Sequence, residues 1–125
     1  MGKKERQQER EANRLVGWLV SYQNNSQGDY YEIRTGRRII GASQVADEKT
    51  IVIKENTISN LHAAINANLN NELIIQDLFS DYGTFVTKKG TSKEAKIEAP
   101  TKLEHGDWIK LGDKARYQIC LINCG

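Results

Sequence analysis

The sequence predicts an all-β domain, a sandwich or a barrel. Beyond Arg14 the 125-residue chain is a series of short runs rich in Val, Ile, Thr and aromatic residues, separated by Gly, Asn and Asp. That is the texture of strands and tight turns. No stretch after Arg14 keeps a helical period over about 11 residues. The single proline, Pro100, falls between runs, where it stiffens a loop without removing a ladder hydrogen bond.

The elements follow in order. Residues 1–13 (MGKKERQQEREAN) are helix formers without an apolar stripe to dock, so residues 1–14 are expected to be a flexible charged leader. The domain is expected over residues 15–123. Residues 15–22 (LVGWLVSY) open it, and NNSQGD breaks the run. Residues 30–34 (YYEIR) end before Gly36, and residues 38–40 lead into Gly41. Residues 50–53 (TIVI) are wholly branched, and residues 63–68 alternate loosely until Asn70-Asn71 turns the chain. Residues 73–77 (LIIQD), 84–87 and a weak 96–98 follow. Residues 87–99 read as an exposed hairpin arm. Residues 108–111 (WIKL) and 115–122 (ARYQICLI) close the domain. The expected core includes Trp18, Ile33, Ile40, Ile51, Ile53, Ile65, Ile75, Ile109, Ile119 and Leu121, with Cys120 beside them.

Composition narrows the function. Hydrophobic residues make up 38% and charged residues 27%, enough for one core and too apolar for a disordered chain. No apolar run approaches the ~20 residues of a membrane span, and the charged N-terminus lacks the apolar region of a secretory signal. The net charge is +2. Lys3, Lys4, Arg6, Arg10 and Arg14 against Glu5, Glu9 and Glu11 already supply it, so the body is neutral. A neutral body argues against a nucleic-acid footprint across the fold. A disulfide between Cys120 and Cys124 across an extended segment would be strained, because its Cα atoms must lie within about 7 Å. With only His62 and His105 as further ligands, no zinc site is expected. We read both thiols as free, in a reducing, cytoplasmic setting. No Ser-His-Asp or Cys-His set, paired carboxylate or nucleotide-type glycine loop is present, which argues against an enzyme and against a cofactor or small-molecule substrate.

Four fragments belong together: Ile39-Ile40-Gly41, Ser59-Asn60-Leu61-His62, Asp77-Leu78-Phe79-Ser80-Asp81-Tyr82-Gly83-Thr84, and Leu103 to Gly112 (LEHGDWIKLG). In order and spacing they resemble the forkhead-associated family, whose pattern runs I-G-R, S-x-x-H, D-L-x-S-x-N-G-T and L-x-x-G-D-x-I-x-[LI]-G. The resemblance spans residues 16–122, and the opening VGWLVSY with YYEIRTGRRIIG is similar to a bacterial branch. It implies a β-sandwich of about eleven strands, with loops at one end that read phosphothreonine in a protein partner.

Carried onto this sequence, the resemblance makes Ser59 a hydroxyl donor to phosphate and Asn60 a second, amide donor. Ser43 and Asp81 border the same loops. His62 holds the loops in shape, Gly41 and Gly83 allow close backbone approach, and Asp77, like Asp107, ties loop amides. Two positions depart from the pattern. The phosphate-binding arginine is replaced by Ala42, removing charge-assisted bonds worth about 1.5–3 kcal/mol each. The asparagine that grips the peptide backbone is replaced by Tyr82. The long segment 42–49 also brings Asp47 and Glu48, expected to repel phosphate. Arg37 and Arg38 precede the strand end by roughly 10 Å, which leaves Lys49 and Lys54 as the better replacement cations. The sequence therefore predicts a non-catalytic interaction module with weakened or lost phosphothreonine recognition. One alternative is a genuine reader using Ser59, Asn60 and a nearby lysine such as Lys54. Another is contact of the basic leader with nucleic acid.

Overall fold

The computed structural model describes residues 13–21 and 29–122. Most of the leader, Tyr22 and Cys124 lie outside these, and with them the expectations made for those residues. Eleven strands form two sheets with no helix among the described residues. They are β1 (Leu15–Ser21), β2 (Asp29–Arg34), β3 (Gly36–Gly41), β4 (Thr50–Val52), β5 (Ala63–Ala67), β6 (Leu73–Asp77), β7 (Thr84–Thr87), β8 (Glu94–Lys96), β9 (Thr101–Leu103), β10 (Trp108–Leu111) and β11 (Ala115–Leu121). One sheet runs β2-β1-β11-β10-β7-β8 and the other β4-β3-β5-β6-β9.

The pairs are antiparallel except β3 with β4. After Gly41 the chain therefore turns back along the sheet edge, so that Thr50 lies opposite Ile39. Period-2 alternation then fills the space between the sheets. Leu19, Ile33, Ile40, Ile65, Leu73, Ile75, Leu103, Ile109, Leu111 and Ile119 are fully buried there, each worth roughly 1.5–3 kcal/mol relative to exposure.

Three expected core residues, Trp18, Cys120 and Leu121, are only half-buried, and of these Leu121 still packs against the core. The pairing shifts register between Leu15 and Gly17, and Val16 and Gly17 are consecutive buried positions. This bulge flips the phase of β1, so Leu19 points inward and Trp18 outward, where it faces Cys120 across the ladder. Gly17 is needed at the bulge, because a Cβ there would lie 2.2 Å from the Cys120 carbonyl oxygen. Burial against its neighbours still pushes the Cys120 thiol up from its ordinary pKa. Two strand assignments also change. The weak run at 96–98 is displaced to β8, which forms the expected arm with β7, and β9 has no counterpart in the sequence reading.

Strand directions place the segments 53–62, 78–83 and 112–114, with the start of the descending segment 42–49, beside the C-terminal end of β3, which we call the apical end. The β5–β6 turn and the start of β1 lie at the opposite, basal end.

Candidate functional site

Gly41 closes β3 and anchors the apical loops. Its carbonyl accepts from the Ile53 amide at 2.9 Å, and the next amide, Ala42, donates to the Ser59 carbonyl at 3.0 Å. The Asn60 carbonyl oxygen passes so close that a Cβ on Gly41 would lie 1.9 Å from it. The glycine is thus a spacing requirement, one methyl short of a collision.

His62 is wholly buried and joins three loops. Its amide donates to the Ile40 carbonyl at 3.0 Å and its carbonyl accepts from Leu78 at 2.9 Å. The ring Nδ1 accepts from the Ser59 amide at 3.0 Å, which leaves Nε2 to carry the proton and donate to the Gly83 carbonyl at 2.8 Å. The Gly83 carbonyl also accepts from Gly112 at 2.9 Å, and Asp113 donates to the Thr57 hydroxyl at 2.9 Å. The ring therefore couples loops 53–62, 78–83 and 112–114.

Asp77 braces the loop 78–83 from below. It accepts from the Ser80 amide at 3.1 Å, from the Ser80 hydroxyl and from the Thr84 hydroxyl at 2.7 Å. Asp107 does the same for a second corner, accepting from Lys89 and Glu104 amides and from the Lys88 ammonium. In both, burial alone would raise the pKa. The hydrogen bonds outweigh it and hold each carboxyl below its ordinary value. A carboxylate with a lowered folded pKa stabilises fully above its unfolded value of about 3.9, and the stabilisation is lost as pH falls through the folded value. Urea unfolding is expected to show stability dropping below about pH 4, with a shallower drop in Asp77→Asn. An unchanged slope in that variant would remove Asp77 from the account.

Ser59 is half-buried, and its Oγ accepts from the Asp81 amide at 3.0 Å. The hydroxyl proton has no acceptor among the described residues and remains available to a ligand. Asn60, Ser43, Asp81 and Tyr82 are exposed around it, while the Ala42 methyl packs against the core. Tyr82 is joined by two further exposed apolar side chains, Leu61 and the fully exposed Phe79. Phe79 has φ +56°, a backbone conformation unfavourable for a bulky residue and held here between Asp77 and Ser80.

The replacement cations separate sharply. Lys54 directly follows Ile53, whose amide bonds to Gly41, so it lies at the apical end. The Lys49 carbonyl accepts from the Ile39 amide, well below the loops. Glu48 reaches Arg37 at 3.8 Å, because the return of the chain to β4 carries it away from the apical loops. Arg38 points to the basal end. Sequence reasoning missed Lys96, whose Cε lies 3.1 Å from a Cβ built on Gly83. The correct register of β7 with β8, Phe85 opposite Lys96, was the only signal that would have found it.

Two β-sheets carry a cluster of cross-braced loops at one end. The family model described as FHA domain matches residues 24–112, and the chain belongs to the FHA family, a family of phosphopeptide-binding protein–protein interaction modules. Among solved structures it is similar to the FHA domain of CT664 protein from Chlamydia trachomatis, with 29% identity and TM-score 0.67 over 85% of this chain and 96% of that one. An FHA domain of an Arabidopsis thaliana hypothetical protein gives 27% identity and TM-score 0.67, over 87% of each chain. Mycobacterium tuberculosis EmbR shares the fold at 21% identity and TM-score 0.65, over 94% of this chain and 28% of that one. A search of curated proteins gives no match.

Proposed function

We propose that this is a non-catalytic, bacterial-type FHA module that binds a protein partner through its apical loops with a weakened phosphothreonine subsite. The observation that carries the reading is the pairing of a ready Ser59 hydroxyl with Ala42. The Ser59 hydroxyl proton lacks an acceptor among the described residues, and the arginine of the family pattern is missing. Lys54 and Lys96 supply charge at the rim but not the planar fork of arginine. The EmbR structure holds a low-affinity phosphopeptide, and another FHA structure concerns phosphothreonine-dependent interactions. Both fit a family chemistry that this chain executes weakly. Cys120, a free thiol, fits a reducing, cytoplasmic setting.

The test is titration with a phosphothreonine peptide beside its unphosphorylated twin. The expected Kd is on the order of 10 μM to mM. Ala42→Arg should tighten the phosphopeptide about tenfold or more, roughly 1.4 kcal/mol, without changing the twin. Ser59→Ala should abolish the difference between the two. Wild-type binding below about 1 μM would overturn the weakened-site reading.

A second reading is a phospho-independent scaffold using the same loops. Exposed Leu61, Phe79 and Tyr82 favour it, because they offer apolar contact that needs no phosphate. It predicts partner binding indifferent to phosphorylation and to Ser59→Ala, with Ala42→Arg neutral or harmful.

A further inference from the structure

The basal end carries a concentration of charge that the apical site does not use. Arg14, Arg34, Arg37 and Arg38 gather there, at the start of β1, the end of β2 and the first half of β3. Two of them have carboxylate partners, Arg34 with Glu32 at 3.0 Å and Arg37 with Glu48 at 3.8 Å. The other two have only neutral oxygens among the described residues. Arg14 donates to the Leu69 carbonyl at 2.8 Å. Arg38 donates to the Arg37 carbonyl at 3.2 Å and to Asn13 Oδ1 at 3.3 Å.

Arg38 is the unusual member. It lies opposite Ile65 in the ladder, on the inner side of its sheet, and is only 9% exposed. A buried guanidinium without a counter-ion is costly. Burial first, and then the like charge of Arg34, lower its pKa. Asn13 meanwhile holds one oxygen 2.8 Å from Arg34 Nη1 and another 3.3 Å from Arg38 Nη2. Two neutral oxygens bridging two guanidinium groups mark where the two oxygens of an anionic group would be favoured.

We propose that Arg14, Arg34 and Arg38 form a second, basal anion site that takes carboxylate side chains from an acidic segment of a partner protein. The chain beyond Arg14 is neutral as a whole, so this cluster is a local patch of positive charge. A local patch fits a few carboxylates on an extended segment. A phosphate backbone would reward positive charge spread along a groove. Arginine forks also match carboxylate geometry.

The test uses the full 125-residue protein, a hexaglutamate peptide and NMR titration. Shifts are expected at Asn13, Arg34 and Arg38 and not at Ser59 or Asn60. Arg14→Gln combined with Arg34→Gln should weaken hexaglutamate about tenfold while leaving phosphothreonine-peptide binding unchanged. These exposed or half-exposed positions keep the test open should Arg38→Met fail to fold. Shifts confined to the apical loops, or an affinity indifferent to the double variant, would overturn the proposal. So would a marked tightening when Glu5, Glu9 and Glu11 are all changed to Gln, because the chain's own leader would then be the occupant. Stronger binding of an oligonucleotide of equal charge would overturn the polypeptide assignment.

Discussion

Gly41→Ala is expected to disorganise the apical site and cost about 3 kcal/mol or more of stability. The new Cβ would sit 1.9 Å from the Asn60 carbonyl oxygen and 2.8 Å from its carbon. Both are backbone atoms, so no rotamer change relieves the contact. Either β3 or the loop 53–62 must move, and the Ala42 amide then loses the Ser59 carbonyl. Overpacking costs roughly 1–3 kcal/mol and a stranded buried amide a further 1–3 kcal/mol. Gly90→Ala is the control. Gly90 also has a positive φ, of +81°, but nothing lies within 4 Å of its Cβ position, so only backbone strain of about 1 kcal/mol is expected. Urea unfolding of both variants, with amide shifts of Ser59 and Asn60, separates the two effects. Equal losses would mean that backbone conformation, and not the close approach, governs both sites.

His62→Ala is expected to cost about 2–4 kcal/mol. It leaves a cavity and strands the buried bonding of the Ser59 amide, while the Gly83 carbonyl keeps only Gly112. For a domain of this size the melting temperature should fall by roughly 10 °C. Loops 53–62 and 78–83 should also lose hydrogen-exchange protection ahead of the sheets, because the ring is their common tie. Uniform loss of protection across both sheets would instead make His62 a packing residue with no special claim on the loops.

Much of this was legible in the sequence, and for physical reasons. Strands built on alternating Ile and Leu, such as β6 and β10, declare their inner face directly. The tying role of His62 came with the family resemblance, and that of Asp77 from its place beside a turn, where a carboxylate can accept from loop amides. Trp18 was misassigned because a single extra residue in β1 reverses which face each later side chain takes, and nothing in LVGWLVS marks the reversal except Gly17. β9 was missed because Thr-Lys-Leu has no pattern of its own and is a strand only by pairing with β6. Lys96, the fate of Glu48 and the convergence on Asn13 depend on register and strand direction, which are properties of pairs of segments.

The ladder of β1 with β11 has a practical corollary. The Ile122 amide donates to the Val16 carbonyl at 2.8 Å, so the polypeptide enters and leaves the sandwich side by side at the basal end. The apical loops lie at the far end, a strand length of about 20 Å away. A module wired this way can be spliced into a host chain like a plug into a socket, with entry and exit at one end and the proposed contact face at the other. Attachment to a surface or a fluorophore through either lead should leave phosphopeptide capture intact, whereas the same attachment at residue 43 or 60 should block it.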